Sequence, residues 1–276
     1  MKSQLHENLL EFEANILPQL LTGQKPLSYS GLKQFLISPY RYVLHTLKKI
    51  TETDSMKLGS AEHCLILDGA HEFEKRYICL DRQTNLAANN PECKIGKIEY
   101  SQIEAQAANE GKTILKLETA MQAWHTYDIV MNDPNSRSLI QAATVKENHF
   151  ECKIYGQNFH GYRDMFGYFG DKPFVCDIKR ISQLTGKLSG DRLKWHIKEN
   201  YLHLQAAIYL HENRMRACDY FFIFLDDNGA FAVRMSEELI NEGRELLKSA
   251  IIDFRAALSW GIDGFTSTTY KYFDVI

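Results

Sequence analysis

Residues 161–180 read GYRDMFGYFGDKPFVCDIKR. Around this stretch, FHGYRDMFGYF (159–169) and FVCDIKRI (174–181) have the texture of β-strands, and Gly170-Asp171-Lys172-Pro173 between them is a turn. Upstream, HFECKIYG (149–156) alternates apolar and polar residues, and Tyr155-Gly156-Gln157-Asn158 turns it into the next strand. Three strands joined by short turns predict an antiparallel meander. Asp164 lies on the middle strand and Asp177 on the next, thirteen residues apart. A tight hairpin folds that separation back on itself, so the two carboxylates can meet at one end of the sheet. Lys179 follows two residues after Asp177, and the period of two puts both side chains on one face.

Two carboxylates and a lysine facing one point suit phosphodiester hydrolysis. Oxygen donors are what Mg²⁺ requires, and it keeps waters and substrate phosphate in its other positions. An ammonium beside it can orient a water or stabilise developing negative charge. A bare hairpin with scattered charges would give the same three letters, so the neighbouring residues matter. Glu151, on the preceding strand, offers a further carboxylate. Gln205 and Tyr209 are spaced i, i+4 and share a face of a predicted helix from Trp195 to Arg214. His63 sits in the helical segment LGSAEHCLIL, where a lone histidine is more often structural than a ligand.

Working outward, a first helix is predicted over residues 4–17, with a break or kink at Pro18. Ser30 can cap a second helix, and Pro39 interrupts or restarts it. A third covers Lys57 to Leu67. Residues 81–100 are polar, contain Asn-Asn-Pro, and read as a loop. A long helix follows from Ser101 to Met131, with a possible break at Gly111. Beyond the meander come the apolar run DYFFIFLD, a turn at Asp227-Asn228-Gly229, the strand FAVRM and a last helix capped by Ser236. The C-terminal STTYKYFDVI gives no clear signal. The order is mixed α/β.

The chain has 276 residues and a net charge of −3. That charge argues against a general polyanion-binding surface but leaves room for a local basic channel. Arg163, Lys172, Arg180, Lys187, Arg192, Lys194 and Lys198 are candidates to line it, and Arg163, Arg180 and Lys194 are the DNA contacts singled out. The six cysteines form no CxxC pair, which disfavours a zinc or iron–sulfur site. The first twenty residues are acidic and amphipathic without an apolar signal core, and no segment has the apolar length to span a bilayer, so a cytoplasmic protein is expected.

The ordered set LGSAEHCLIL, FECKIYGQNFHGYRD, FVCDIKR and LQAAIYL resembles the exonuclease VIII (RecE-type) branch of the PD-(D/E)XK nucleases. It is similar also to the RecB nuclease domain and, more distantly, to lambda exonuclease. The upstream YSGLKQFLISPYRYVLH resembles the helix that opens such domains. The likeness covers about residues 28–254. It implies a restriction-endonuclease-like core, a mixed central sheet flanked by helices, at 28–276, with a helical N-terminal extension at 1–27. It also implies metal binding by Asp164, Asp177, His63 and the carbonyl of Ile178, with Lys179 as the catalytic lysine. Glu151, Gln205 and Tyr209 are implied to complete the catalytic set. Arg163 stands where the superfamily often has proline.

The function implied is a DNA exonuclease using Mg²⁺ (Mn²⁺ in its place) on ends of double-stranded DNA, 5′ to 3′, for recombination or repair. The resemblance extends to a ring of three or four subunits around DNA and to partnership with a single-strand annealing protein. An endonuclease on the same core, or a non-catalytic DNA- or partner-binding protein, are the alternatives. The intact Asp164, Asp177 and Lys179 set disfavours the last.

Overall fold

Burial along residues 172–180 explains how the hairpin is placed. Phe174, Val175, Cys176, Asp177 and Ile178 are all buried, as expected of a strand covered on both faces. The computed structural model describes residues 2–48, 53–90, 92–181, 190–212, 215 and 218–266. In chain order the elements begin with α1 (Lys2–Asn15), α2 (Leu17–Leu21), α3 (Tyr29–Ile37), α4 (Pro39–Thr46), α5 (Asp54–Leu67) and α6 (Ala70–Arg76). Then come β1 (Tyr77–Cys79), α7 (Arg82–Asn89), α8 (Lys97–Glu110), β2 (Thr113–Leu115), α9 (Leu117–Asn132) and α10 (Pro134–Ala142). The rest is β3 (Ala143–Ile154), β4 (Gln157–Phe169), β5 (Lys172–Arg180), α11 (Gly190–Glu199), α12 (Leu202–Tyr209), β6 (Asp219–Leu225), β7 (Ala230–Arg234) and α13 (Glu237–Ser259).

The main sheet has the order β3-β4-β5-β6-β7. β3, β4 and β5 form the expected antiparallel meander, β6 adds parallel to β5, and β7 adds antiparallel to β6. The sheet is therefore mixed, with helices on both faces. One face carries a core built with α1–α4, α12 and α13, including Phe12, Phe35, Phe159, Tyr220 and Phe254. The other carries a smaller core with α5, α9 and α10, including Ile66, Val130, Leu139, Met165 and Ile178. Leu9, Phe12, Leu17 and Leu20 belong to the larger core, so the first two helices are packed into it. No helix among the described residues is long and apolar enough to cross a membrane.

Several local expectations need correcting. Ser28, not Ser30, caps α3, accepting from Gly31 N at 3.1 Å. Residues 81–100 are not a loop: Asp81 accepts from the N–H groups of Gln83 and Thr84 and starts α7, a largely polar helix. The helix expected from Ser101 to Met131 does break at Gly111, which turns left-handed (φ +64°); the addition is a strand, Thr113–Leu115, paired in parallel with Tyr77–Cys79. The helix at Trp195–Arg214 is α11 and α12, parted at Tyr201 with φ +58°. α10 was hidden by Asp133-Pro134: the aspartate caps it through Ser136 N, and proline occupies its first turn. The C-terminal STTYKYFDVI lies outside the described residues.

Candidate active site

The ladder between β4 and β5 runs from Phe169↔Lys172 to Met165↔Cys176 and stops there, while β5 stays paired to β6 as far as Arg180. Asp164 and Asp177 are the next residues on each strand, so they sit where the strands part. The N–H of Ile178 donates to Asp164 Oδ2 at 2.7 Å. That carboxylate thus takes over where the ladder ends.

Asp177 is 1% exposed and faces α12. Gln205 Nε2 donates to its Oδ2 at 2.8 Å, and Lys179 forms an ion pair with the same oxygen. Lys179 keeps 27% of its side chain exposed and lines two clefts at the site. α12 is held in place by close approach to α13. A Cβ on Gly243 would lie 2.1 Å from the carbonyl oxygen of His203, so only glycine allows that contact. On the opposite side, α5 brings His63 Nε2 to 3.3 Å from Ile178 O, and His63 Nδ1 to 3.8 Å from Asp164 Oδ2. Tyr209 is buried near both aspartates, and its phenol is raised by burial first and by their charges next.

Burial pushes the Asp164 carboxyl up to about 6, and the neighbouring Asp177 charge adds to this; His63, Lys179 and the Ile178 N–H act the other way. Burial opposes the Lys179 ammonium, but Asp177 and Asp164 outweigh it, so its pKa is raised. The two carboxylates repel each other in a largely buried site, and Lys179 pairs with Asp177. Such a pair calls for a further cation. Among the described residues no three His, Cys, Asp or Glu side chains are gathered as a metal cage. The available donors are two carboxylates and the Ile178 carbonyl, with His63 beside them. Mg²⁺ accepts so open a set because it retains waters and binds substrate phosphate. Gln205 Oε1 is buried without a hydrogen-bond partner, a vacant acceptor beside Asp177. The donor set therefore fits a hard divalent cation.

The pH dependence follows. An ordinary aspartate titrates at 3.8, and a folded-state value near 6 means that the Asp164 charge costs folding free energy above about pH 6. That cost is relieved as pH falls through 6 and is gone below 3.8. A divalent cation held there would relieve it at high pH instead, in competition with the proton. The gain in melting temperature on adding Mg²⁺ is expected to be clearly larger at about pH 7.5 than at about pH 5. Equal gains at both values, measured by differential scanning fluorimetry, would sink this reading.

Two clefts meet at Lys179 and Arg180. One, of about 910 Å³, is lined by Lys33, His196 and Asn200 among others. The second, of about 550 Å³, is lined by His63, Glu147 and Ile178.

A family comparison decides the lineage. Residues 28–245 match the PDDEXK-like domain of unknown function, DUF3799. The chain belongs to this PDDEXK-like family. A crystal structure from Eubacterium rectale, of a protein named "putative exonuclease", superposes with a TM-score of 0.58 at 13% identity, covering 92% of this chain and 88% of that one. That likeness shows the fold. SSO0001 overlaps at a TM-score of 0.29 and 15% identity, over 77% of this chain and 95% of that one, too loosely to carry an argument. No curated protein matches the sequence. PD-(D/E)XK nucleases generally use divalent metals, and membership of a PDDEXK-like family supports a nuclease or related hydrolase.

In this PDDEXK-like chain the structure gathers Asp164, Asp177, Ile178, Lys179, His63, Gln205 and Tyr209. It does not gather Glu151, whose side chain is 74% exposed beside His149 and paired across the ladder with His160. Glu147, four residues earlier, lines the same cleft as His63, with an irregular φ of +48°. Four residues of strand are about 13 Å, which is why Glu151 misses the cleft.

Arg163 is no DNA contact. It is fully buried, donates to Tyr209 O at 2.9 and 3.1 Å and to Asn148 Oδ1 at 3.1 Å, and pairs with Glu212 at 2.6 Å. Its guanidinium also lies 4.2 Å from the centre of the Phe150 ring. Arg180 is committed as well: it binds both oxygens of Glu62, Asp227 and Thr126, tying β5 to α5, α9 and the β6–β7 turn. Lys194 lies on the exposed side of α11, 3.7 Å from Glu238. Lys172 and Lys198 pair with Asp219 and Glu242. Lys187 lies outside the described residues.

Sequence reading missed Glu147, Tyr29, Lys33 and Asn200. The i, i+4 spacing of Tyr29 and Lys33 in YSGLK was a usable signal.

Proposed function

We propose that this chain is a Mg²⁺-dependent exonuclease acting on linear double-stranded DNA. The observation that carries the proposal is the meeting of Asp164, Asp177 and Lys179 where the β4–β5 ladder opens between two clefts. Asp164, Asp177 and the Ile178 carbonyl would hold the cation, with His63 beside them. When bound, it polarises the phosphate and eases deprotonation of the attacking water. Lys179 is placed to orient that water and to stabilise charge building on the phosphate. Gln205 holds Asp177 through its Nε2, and its own Oε1 is buried without a hydrogen-bond partner. Tyr209 closes the apolar back wall against Phe150.

Exonuclease action, 5′ polarity and a role in making single strands for recombination or repair rest on the resemblance to exonuclease VIII; the name of the Eubacterium rectale protein agrees with the first of these alone. End-labelled linear duplex and covalently closed circular DNA separate the readings. Progressive loss of the linear substrate with the circle untouched is expected. Nicking or linearisation of the circle would favour an endonuclease.

A further inference from the structure

Helix α3 presents Tyr29 and Lys33 on one face, one turn apart, towards the end of β5 that carries Asp177 and Lys179. Tyr29 is anchored there by donating to Asn200 O at 3.2 Å. Lys33 and Lys179 line the larger cleft together, with His196 and Asn200 on α11 and the residues just after it. Lys33 is partly buried and, among the described residues, makes no hydrogen bond or ion pair. After burial itself, the charges of Lys179 and Arg41 disfavour its ammonium.

The carboxylates lining that cleft are answered elsewhere. Asp54 pairs with Lys116, and Glu118 accepts from Asn85. Asp226 accepts from the N–H groups of Asn228 and Gly229, and Asp227 binds Arg180. A half-buried lysine facing a second lysine, with no carboxylate of its own, is costly unless an anion joins it. Lys33 lines only the larger cleft, whereas Ile178 and His63 line the smaller one. A strand lying through both clefts, with one phosphate at the carboxylates, would run its neighbouring phosphates along the wall that holds Lys179 and Lys33.

We propose that Lys33 grips the phosphate adjoining the scissile one on the bound DNA strand, a role that rests on the nuclease reading above. It is a positioning residue, and its signature is electrostatic.

The test is equilibrium binding of a fluorescein-labelled DNA strand, with Ca²⁺ in place of Mg²⁺ to hold back cleavage, over a series of salt concentrations. Wild type, Lys33→Gln, Lys33→Arg and the exposed control Lys248→Gln are compared. Lys33→Gln is expected to bind about fivefold to tenfold more weakly and to lower the salt slope by about 0.7, the contribution of one single-strand phosphate. Lys33→Arg and Lys248→Gln should stay close to wild type. A neutral methylphosphonate next to the scissile position should weaken wild type and leave Lys33→Gln no weaker than before. The melting temperature of Lys33→Gln should match or exceed that of wild type, since a cation facing Lys179 is removed. Equal affinity and slope in wild type and Lys33→Gln would overturn the assignment and leave the nuclease reading standing. A wild-type chain that binds no DNA would overturn both.

Discussion

Asp177→Asn is expected to lower the cleavage rate by on the order of a thousandfold or more, because a metal's electrostatic contribution is worth several kcal/mol in the transition state. The amide keeps the carboxylate's shape and an oxygen for Gln205 Nε2, but loses the charge. Alanine would be a poorer probe. Asp177 is 1% exposed, and its removal would leave a cavity and orphan a second Gln205 atom. In the asparagine variant Lys179 loses its ion pair, yet its side chain is 27% exposed and can turn to water. Relief of the repulsion with Asp164 works the other way. The melting temperature should therefore move by only a few degrees while activity disappears.

Arg163→Ala is expected to do the reverse, destabilising the fold by about 3–5 kcal/mol, as breaking a buried ion pair does. Arg163 joins β4 to the end of α12 through the Tyr209 carbonyl, to Glu212 beyond it, and to β3 through Asn148. Its loss leaves the carbonyl and carboxylate without their donor and Phe150 without the overlying guanidinium. Since α12 carries Gln205 and Tyr209, the damage reaches the site through its scaffold. Denaturant unfolding measures it. A loss below about 1 kcal/mol would contradict this account of Arg163.

The hairpin was legible from its letters because its information is local. Turn residues sit at both ends of FHGYRDMFGYF, and the spacing of Asp164, Asp177 and Lys179 needs only strand periodicity to be read. Arg163 was misread because charge beside a catalytic aspartate looks like a DNA contact until Tyr209 O and Glu212, some forty-six and forty-nine residues away, are seen to enclose it. Arg180 was misread in the same way, since Glu62 lies 118 residues away. Glu147 went unread because its left-handed backbone is invisible to a period of two. The split of α11 from α12 at Tyr201 was equally hidden, because a tyrosine rarely adopts positive φ. The lobe from Tyr77 to Leu115 escaped because β1 and β2 are three residues each and pair only with one another.

The central proposal is that Asp164 and Asp177 would hold a divalent cation on which the chain depends to cut DNA, with Lys179 assisting. Single-turnover cleavage of end-labelled linear duplex, by wild type and Asp177→Asn in Mg²⁺ and in EDTA, tests it most directly. Cleavage by wild type in Mg²⁺, and in no other arm, is the predicted result. Cleavage that survives EDTA, or an Asp177→Asn protein as fast as wild type, would contradict it.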